Sequence, residues 1–389
     1  MTPHGQPGRQ GLSAAVGLFA LAVVLLARPA GAQQEPGRLL DRTSLWEKTG
    51  RDLLRGFDNM YQPCVVQDPG GAYPFNMWFF GWAAQDCNPG YPGCDAIFFA
   101  RGKDLDHWEV YAGDGRFDAT MSPKLWVPVV TAGDKPYDQW HNGDPSVVRF
   151  RGHYYMALSS TGFDLDGLRG DDPKDTDGWL CCVMGAVSSD GIHWRKTSPP
   201  ILIWDQELGK REAYGSPDYF GDYARPSLLR DGDRWRLWFD YWCPGQGVSM
   251  GYAENRGEFT DPAQWKVLRA GAHPVLASFP NPSVIKVDVR YYAYGDPPDY
   301  PGRGDPWVKR QVFEATSMDG LNWTVLGYVG PDADTPACQV PQAAVLDTGG
   351  RKWIYVFYAC QIGGQPYDWR YDRIRCMRRT AEGASPPAR

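Results

Sequence analysis

The chain has 389 residues and a formal net charge of −6, from 40 Lys and Arg against 46 Asp and Glu. That mild acidic excess, with no basic stripe, argues against a nucleic-acid surface and suits a neutral or cationic partner. Only one segment is apolar enough to concern a membrane, and it lies at the N-terminus.

There Arg9 precedes an apolar run from Leu12 to Leu26, followed by the small residues Ala30-Gly31-Ala32. This pattern predicts a secretory signal peptide over residues 1–32, too short and wrongly flanked for a membrane span. The mature chain is expected to start near Gln33 and to be exported, secreted or periplasmic, soluble, monomeric and free of the membrane. Residues 33–57 form an N-terminal segment expected to pack on the outside of the main domain or to close it. The main domain covers residues 58–379, and residues 380–389 are expected to be a disordered tail.

Within the main domain one phrase recurs. It opens loosely at Pro63-Cys64-Val65-Val66-Gln67, ending in Met77-Trp78-Phe79-Phe80. Pro145-Ser146-Val147-Val148-Arg149, Pro226-Ser227-Leu228-Leu229-Arg230, Pro282-Ser283-Val284-Ile285-Lys286 and Pro341-Gln342-Ala343-Ala344-Val345 repeat it, each leading into an aromatic-rich strand. Each copy reads as a hairpin. The first four are followed by a small-residue strand, a polar turn and a Trp, at Trp108, Trp194, Trp265 and Trp323. In Ser188-Ser189-Asp190-Gly191-Ile192-His193-Trp194 and Ser317-Met318-Asp319-Gly320-Leu321-Asn322-Trp323, Asp-Gly supplies the positive φ of a tight turn. The fifth copy is cut short at Ile374–Arg378. Repeated four-stranded units of this kind predict an all-β fold, a five-bladed β-propeller of four-stranded antiparallel blades. Such a fold escapes the usual single-core size limit because each blade packs only on its neighbours.

Nine cysteines in an exported chain allow disulfides with one thiol left over, and Cys87 and Cys94, bracketing a Pro-Gly-rich loop, are the expected pair. Adjacent Cys181 and Cys182 point to opposite faces if that segment is a strand. No CxxC pair exists and the six histidines are scattered, so zinc is set aside and no metal ligands are assigned. The insertion Phe163–Asp177 is oxygen-rich enough for a structural calcium, but it lacks the EF-hand glycine and glutamate, so a solvated loop is expected.

The innermost strands of a propeller line its channel, and their first residues converge at the mouth. Here the residues before each proline are Gln62, Asp144, Arg225, Asn281 and Val340, four of them polar. Pro145 is expected to keep the chain extended at Asp144. Polar groups converging on a pocket suggest a binding site. Asp58 precedes the first inner strand, and Glu212, Asp218 and Asp222 precede the third. Carboxylates from three consecutive blades around one mouth suit glycoside hydrolysis, where one activates water and another protonates the leaving oxygen. His141 is a candidate partner for Asp144 or ligand for a channel ion, although a hydrogen-bonded structural histidine is the expected role. Trp140, Trp242 and Trp307 are candidate sugar platforms, although most aromatic side chains should serve packing between blades.

The five repeats, Asp144-Pro145 at the second blade and the Ser-x-Asp-Gly-x-x-Trp turns resemble the five-bladed arabinanase, β-xylosidase and invertase-type glycosidases, the family 43/32-like superfamily. The resemblance implies hydrolysis of furanosides or pyranosides in poly- or oligosaccharides, with no cofactor required. It implies a base at the first blade, a pKa-tuning Asp before proline at the second and an acid Glu at the third. Asp144 matches the second role; Gln62 and Ala224-Arg225 stand where the other two carboxylates would. The expected assignment is therefore Asp58 as base, Asp144 as tuning group and Glu212 as acid, with Gln62, His141, Asp222, Arg225, Asn281 and Trp140 binding substrate. Arg225 either binds an anion, such as a uronic acid, a sulfated sugar or the phosphate of a phosphorylase, or pairs with Asp144 or Asp222. A non-catalytic carbohydrate-binding propeller is the alternative function.

Overall fold

The computed structural model describes residues 39–57, 59–83, 94–135, 137–139, 141–161, 181–203, 221–243, 245–297, 311–335, 338–360 and 371–381. The expected signal peptide, the insertion carrying Asp164 to Asp177, Cys87 and Trp307 lie outside these residues.

Each copy of the repeat forms one antiparallel sheet. The first blade runs Asn59–Gln67, Phe75–Ala83, Cys94–Gly102 and Trp108–Tyr111, with Phe117–Asp118 on its outer edge. The second runs His141–Phe150, His153–Thr161, Cys181–Ser188 and Arg195–Lys196; the third runs Gly221–Asp231, Arg234–Cys243, Gly247–Asn255 and Lys266–Arg269. The fourth comprises Ser283–Val287, Arg290–Gly295, Val312–Ser317 and Trp323–Val329. The fifth has three strands of its own, Cys338–Thr348, Arg351–Cys360 and Arg373–Thr380. Its short supply is made good by the N-terminal segment. Glu47–Lys48 and Leu54–Arg55 both pair antiparallel with Arg373–Thr380, while Leu40–Asp41 adds in parallel to the fourth blade. No helix of the described residues is long and apolar enough to cross a membrane.

The inner strands touch in ring order, and the last meets the first. Buried apolar side chains of the described residues fall into five clusters, one in each seam between neighbouring blades. Among the described cysteines, Cys64, Cys182, Cys243 and Cys376 are buried free thiols in these seams or beside them. The expected alternation at Cys181 and Cys182 is present, one half-buried and the other buried.

The recurrent spelling of the repeat follows from how the blades are stapled. In the first four blades the residue after the proline accepts a backbone N–H from the next inner strand. Ser146 Oγ takes the Leu228 amide, Ser227 Oγ the Val284 amide and Ser283 Oγ the Ala343 amide, at 2.7 to 2.9 Å. Cys64 Sγ does the same for Val147 at 3.2 Å. Ser227→Ala should leave the buried Val284 amide unpaired and cost about 1–3 kcal/mol; equilibrium urea unfolding of the variant measures it.

At the far end of the inner strands the seams differ in chemistry. Asp68 pairs with Arg149 at 3.0 Å and Asp231 with Lys286 at 2.7 Å, while Arg230 lies 4.8 Å from the Phe150 ring centre. Gln67 bonds the backbone of Asp347. Each blade thus meets a neighbour of matching chemistry, which helps to fix blade order.

Candidate active site at the channel mouth

Pro145 does not hold Asp144 extended, as the sequence suggested, and the residues before the other four prolines depart from it in the same way. Gln62, Asp144, Arg225, Asn281 and Val340 all have positive φ, between 45° and 52°. The register explains why. In the first, second, third and fifth blades the inner strand advances three residues while its partner advances two, at Tyr61/Cys64, Gly143/Ser146, Ala224/Ser227 and Gln339/Gln342. This is a β-bulge, and proline suits it because it needs no ladder hydrogen bond there. For Arg225, and above all for β-branched Val340, the left-handed region is strained, by about 1–3 kcal/mol each. Strain repeated at one level of all five blades marks the place where the fold presents side chains.

These side chains join a polar belt around the mouth. Asp95, at the start of the third strand of the first blade, meets His141 Nδ1 at 2.8 Å, and His141 Nε2 lies 3.8 Å from Asp144 Oδ2. Arg225 Nη1 lies 3.3 Å from Asp240 Oδ2. Asp240 also accepts the Asn281 amide at 2.9 Å, linking the third blade to the fourth. Asn281 Nδ2 donates to Asp296, whose other oxygen accepts the Val340 amide at 2.9 Å on the fifth blade. Ser159 plays the same backbone role between the second and third blades, accepting the Arg225 amide at 2.7 Å.

Electrostatics divide the belt. Burial works against the Asp144 carboxylate, but His141 and the Arg225 charge overcome it and hold its pKa below the ordinary value. Burial likewise opposes charge on His141, yet Asp144 and Asp95 prevail and raise its pKa to about 9. For Asp240 burial dominates, reinforced by the Asp144 charge, and its carboxyl rises to about 6 against the pull of Arg225 and the Asn281 amide. Among the described residues some polar atoms are left without a protein partner. Asp144 Oδ1, both side-chain polar atoms of Gln62, Asn281 Oδ1 and Gln342 Nε2 are buried and unpaired. Buried polar groups are normally satisfied, so this cluster is suited to water or to the hydroxyls of a ligand.

The structure thus brings together Gln62, His141, Asp144, Arg225 and Asn281 from the sequence expectation. Arg225 has Asp240 as an ion-pair partner, which the sequence did not offer, and its charge also acts on Asp144. Asp58, Glu212, Asp218 and Trp140, and the side chain of Asp222, lie outside the described residues. Sequence reasoning missed Asp95, Ser159, Asp240 and Asp296. Asp240 carried a signal, since it is an acid embedded in Trp238-Phe239-Asp240-Tyr241-Trp242, where a core strand has no other use for charge. Among the described residues no group of three or more His, Cys, Asp or Glu could hold a metal ion.

One pH effect follows directly. His141 is charged when folded up to about pH 9, whereas unfolded it loses its proton near its ordinary value. Its contribution is complete below about pH 6.5, fades as pH rises through 9 and amounts to about 3 kcal/mol. Chemical denaturation from pH 6 to 10 should show that loss in the wild type and a flatter curve for His141→Gln.

Solved structures share this architecture. A family 117 glycoside hydrolase from the marine bacterium Zobellia galactanivorans superposes with a TM-score of 0.54 at 14% identity, over 88% of this chain and 91% of that one. The catalytic domain of a family 62 α-L-arabinofuranosidase from Coprinopsis cinerea gives 0.52 at 11% identity, over 87% and 98%. The α-L-arabinofuranosidase from Lactobacillus brevis gives 0.50 at 10% identity, over 84% and 91%. The chain has the five-bladed fold of these glycosidases. No family model matches the sequence, and no curated protein does. At such low identity the likeness speaks for the fold, and the chemistry has to be argued from the mouth.

Proposed function

We propose that the protein is an exported glycoside hydrolase that cleaves poly- or oligosaccharides at the channel mouth. The observation that carries this reading is Asp144, a buried carboxylate kept ionised by His141 and Arg225 yet with one oxygen unpaired. An anion with a free lone pair in a water-poor site can orient a sugar hydroxyl and tune a neighbouring acid. Asp58 and Glu212, from the segments entering the first and third inner strands, are proposed as general base and general acid. Gln62, with an amide donor and acceptor both unpaired, suits sugar hydroxyls at the same level of the first blade.

The same Gln62 favours the second reading. A neutral amide occupies the first-blade position at which a carboxylate would serve as base, as expected of a non-catalytic carbohydrate-binding propeller. A phosphate-dependent phosphorylase is a variant of the first, with phosphate as nucleophile beside Arg225.

The deciding experiment is a screen of the exported form on aryl glycosides, arabinan, xylan, fructan, mannan and uronate-containing glycans. It is run with and without phosphate, and with Asp144→Asn as control. Turnover that the variant loses supports the hydrolase, and dependence on phosphate would make it a phosphorylase. Binding without turnover supports the carbohydrate-binding module.

A further inference from the structure

Asp240 has more charge than its backbone role requires. At the matching place in the second blade, Ser159 Oγ accepts the Arg225 amide at 2.7 Å, and a neutral hydroxyl suffices. In the third blade that task, receiving the Asn281 amide, falls to Asp240, which is only 1% exposed. A buried carboxylate is costly unless paired. Its charged partner is Arg225, whose Nη1 lies 3.4 and 3.3 Å from the two carboxylate oxygens. Arg225 in turn acts on Asp144 across the mouth.

We propose that Asp240 is a positioning residue of this site: fixed to the Asn281 amide of the next blade, it sets where the Arg225 guanidinium lies relative to Asp144. Among the described residues, the groups acting on Asp240 are Arg225 on its own blade, Asp144 on the second and the Asn281 amide on the fourth. With its carboxylate in place the guanidinium is bonded to Asp240 and reaches Asp144 only through its charge. With the carboxylate neutral or absent, the guanidinium loses this restraint and the attraction of Asp144 weighs more, lowering the basicity of the Asp144 carboxylate and engaging its lone pairs. Asp240 therefore controls how much of Asp144 is available to a ligand, and its own pKa of about 6 makes that control sensitive to mild acid.

The test reads His141, which sits 3.8 Å from Asp144 and titrates at about 9, by NMR of its imidazole, assigned with His141→Gln. Asp240→Asn keeps the size of the side chain and removes its charge. It should lower the His141 midpoint by about half a pH unit or more, because Arg225 then bears more strongly on Asp144. In an Arg225→Gln background the same substitution should move the midpoint less than about half as far. An unchanged midpoint, or equal shifts in both backgrounds, would overturn the proposal. Should Asp240→Asn not fold, Asp240→Glu makes the same comparison by displacing the guanidinium. The kinetic arm rests on the glycosidase reading. On the glycoside found by screening, Asp240→Asn should lower kcat about tenfold with KM little changed, and Asp240→Glu should restore part of it. The His141 titration needs no substrate, so failure of the glycosidase reading leaves it standing, and an inert His141 leaves that reading standing.

Discussion

Asp144→Asn is expected to lower turnover of the protein's glycoside by about 10²- to 10⁴-fold while leaving affinity within a few fold. The substitution is nearly isosteric, so the bulge and its proline are undisturbed. What changes is charge. Asp144 is 4% exposed, and its carboxylate balances His141 on one side and Arg225 on the other. An amide cannot accept at both positions, and its NH2 would face two cations. His141 would lose one of the two anions that raise it to about 9, so its titration should fall toward the ordinary range. Initial rates and calorimetric binding on the same glycan separate the outcomes. A variant that keeps wild-type kcat would remove Asp144 from the chemistry. A variant that loses binding and turnover together would make Asp144 a substrate anchor.

The largest stability effect should come from Trp238→Ala, which should cost about 3–5 kcal/mol. Trp238 is fully buried in the seam between the third and fourth blades, and its indole Nε1 donates to the Gly320 carbonyl at 2.8 Å. Gly320 belongs to the fourth-blade Ser-x-Asp-Gly-x-x-Trp turn, which is tightly bonded within itself. Asp319 accepts the amides of Leu321 and Asn322, and Trp323 Nε1 donates to the same carbonyl at 3.0 Å. The turn has positive φ at Gly320, where a Cβ would come within 2.8 Å of Trp238. Trp78 meets Gly191 of the second blade in the same way, at 2.8 Å. Trp238→Phe retains most of the packing and removes only one donor, so it should cost about 1–2 kcal/mol. Urea midpoints and slopes for the pair measure both values. If Ala and Phe proved equally mild, the turn would not be an inter-blade pin.

That motif shows how far the repeat is legible in the chain of residues. The Trp in Ser-x-Asp-Gly-x-x-Trp is visible in the sequence as part of a turn. The second donor to that turn's glycine carbonyl, a Trp 82 or 113 residues earlier on another blade, is not, because nothing local records which sheet packs against which. The same holds for Pro-Ser. Its recurrence announces three of the five equivalent strands, whereas the reason for Ser, an Oγ that accepts the next blade's amide, emerges only when the strands are side by side. The left-handed residue before each proline is hidden as well. Local sterics favour an extended conformation there, and the bulge imposed by strand pairing overrides them.

At the mouth, Asp144, His141, Arg225, Gln62 and Asn281 can be named from their spacing before the inner strands. Asp95 and Asp240 cannot, since they sit on third and second strands that reach the mouth only through the hairpin returns. Periodicity and turn chemistry are local, so the number of blades, the inner strands and the residues that begin them are all written in the chain itself. Three outcomes waited on the assembled ring: that the N-terminal segment completes the fifth blade, that Arg225 pairs with Asp240, and which carboxyls are held ionised or near neutral. Those outcomes depend on burial and on charges brought together across seams, and both exist only once the ring has closed.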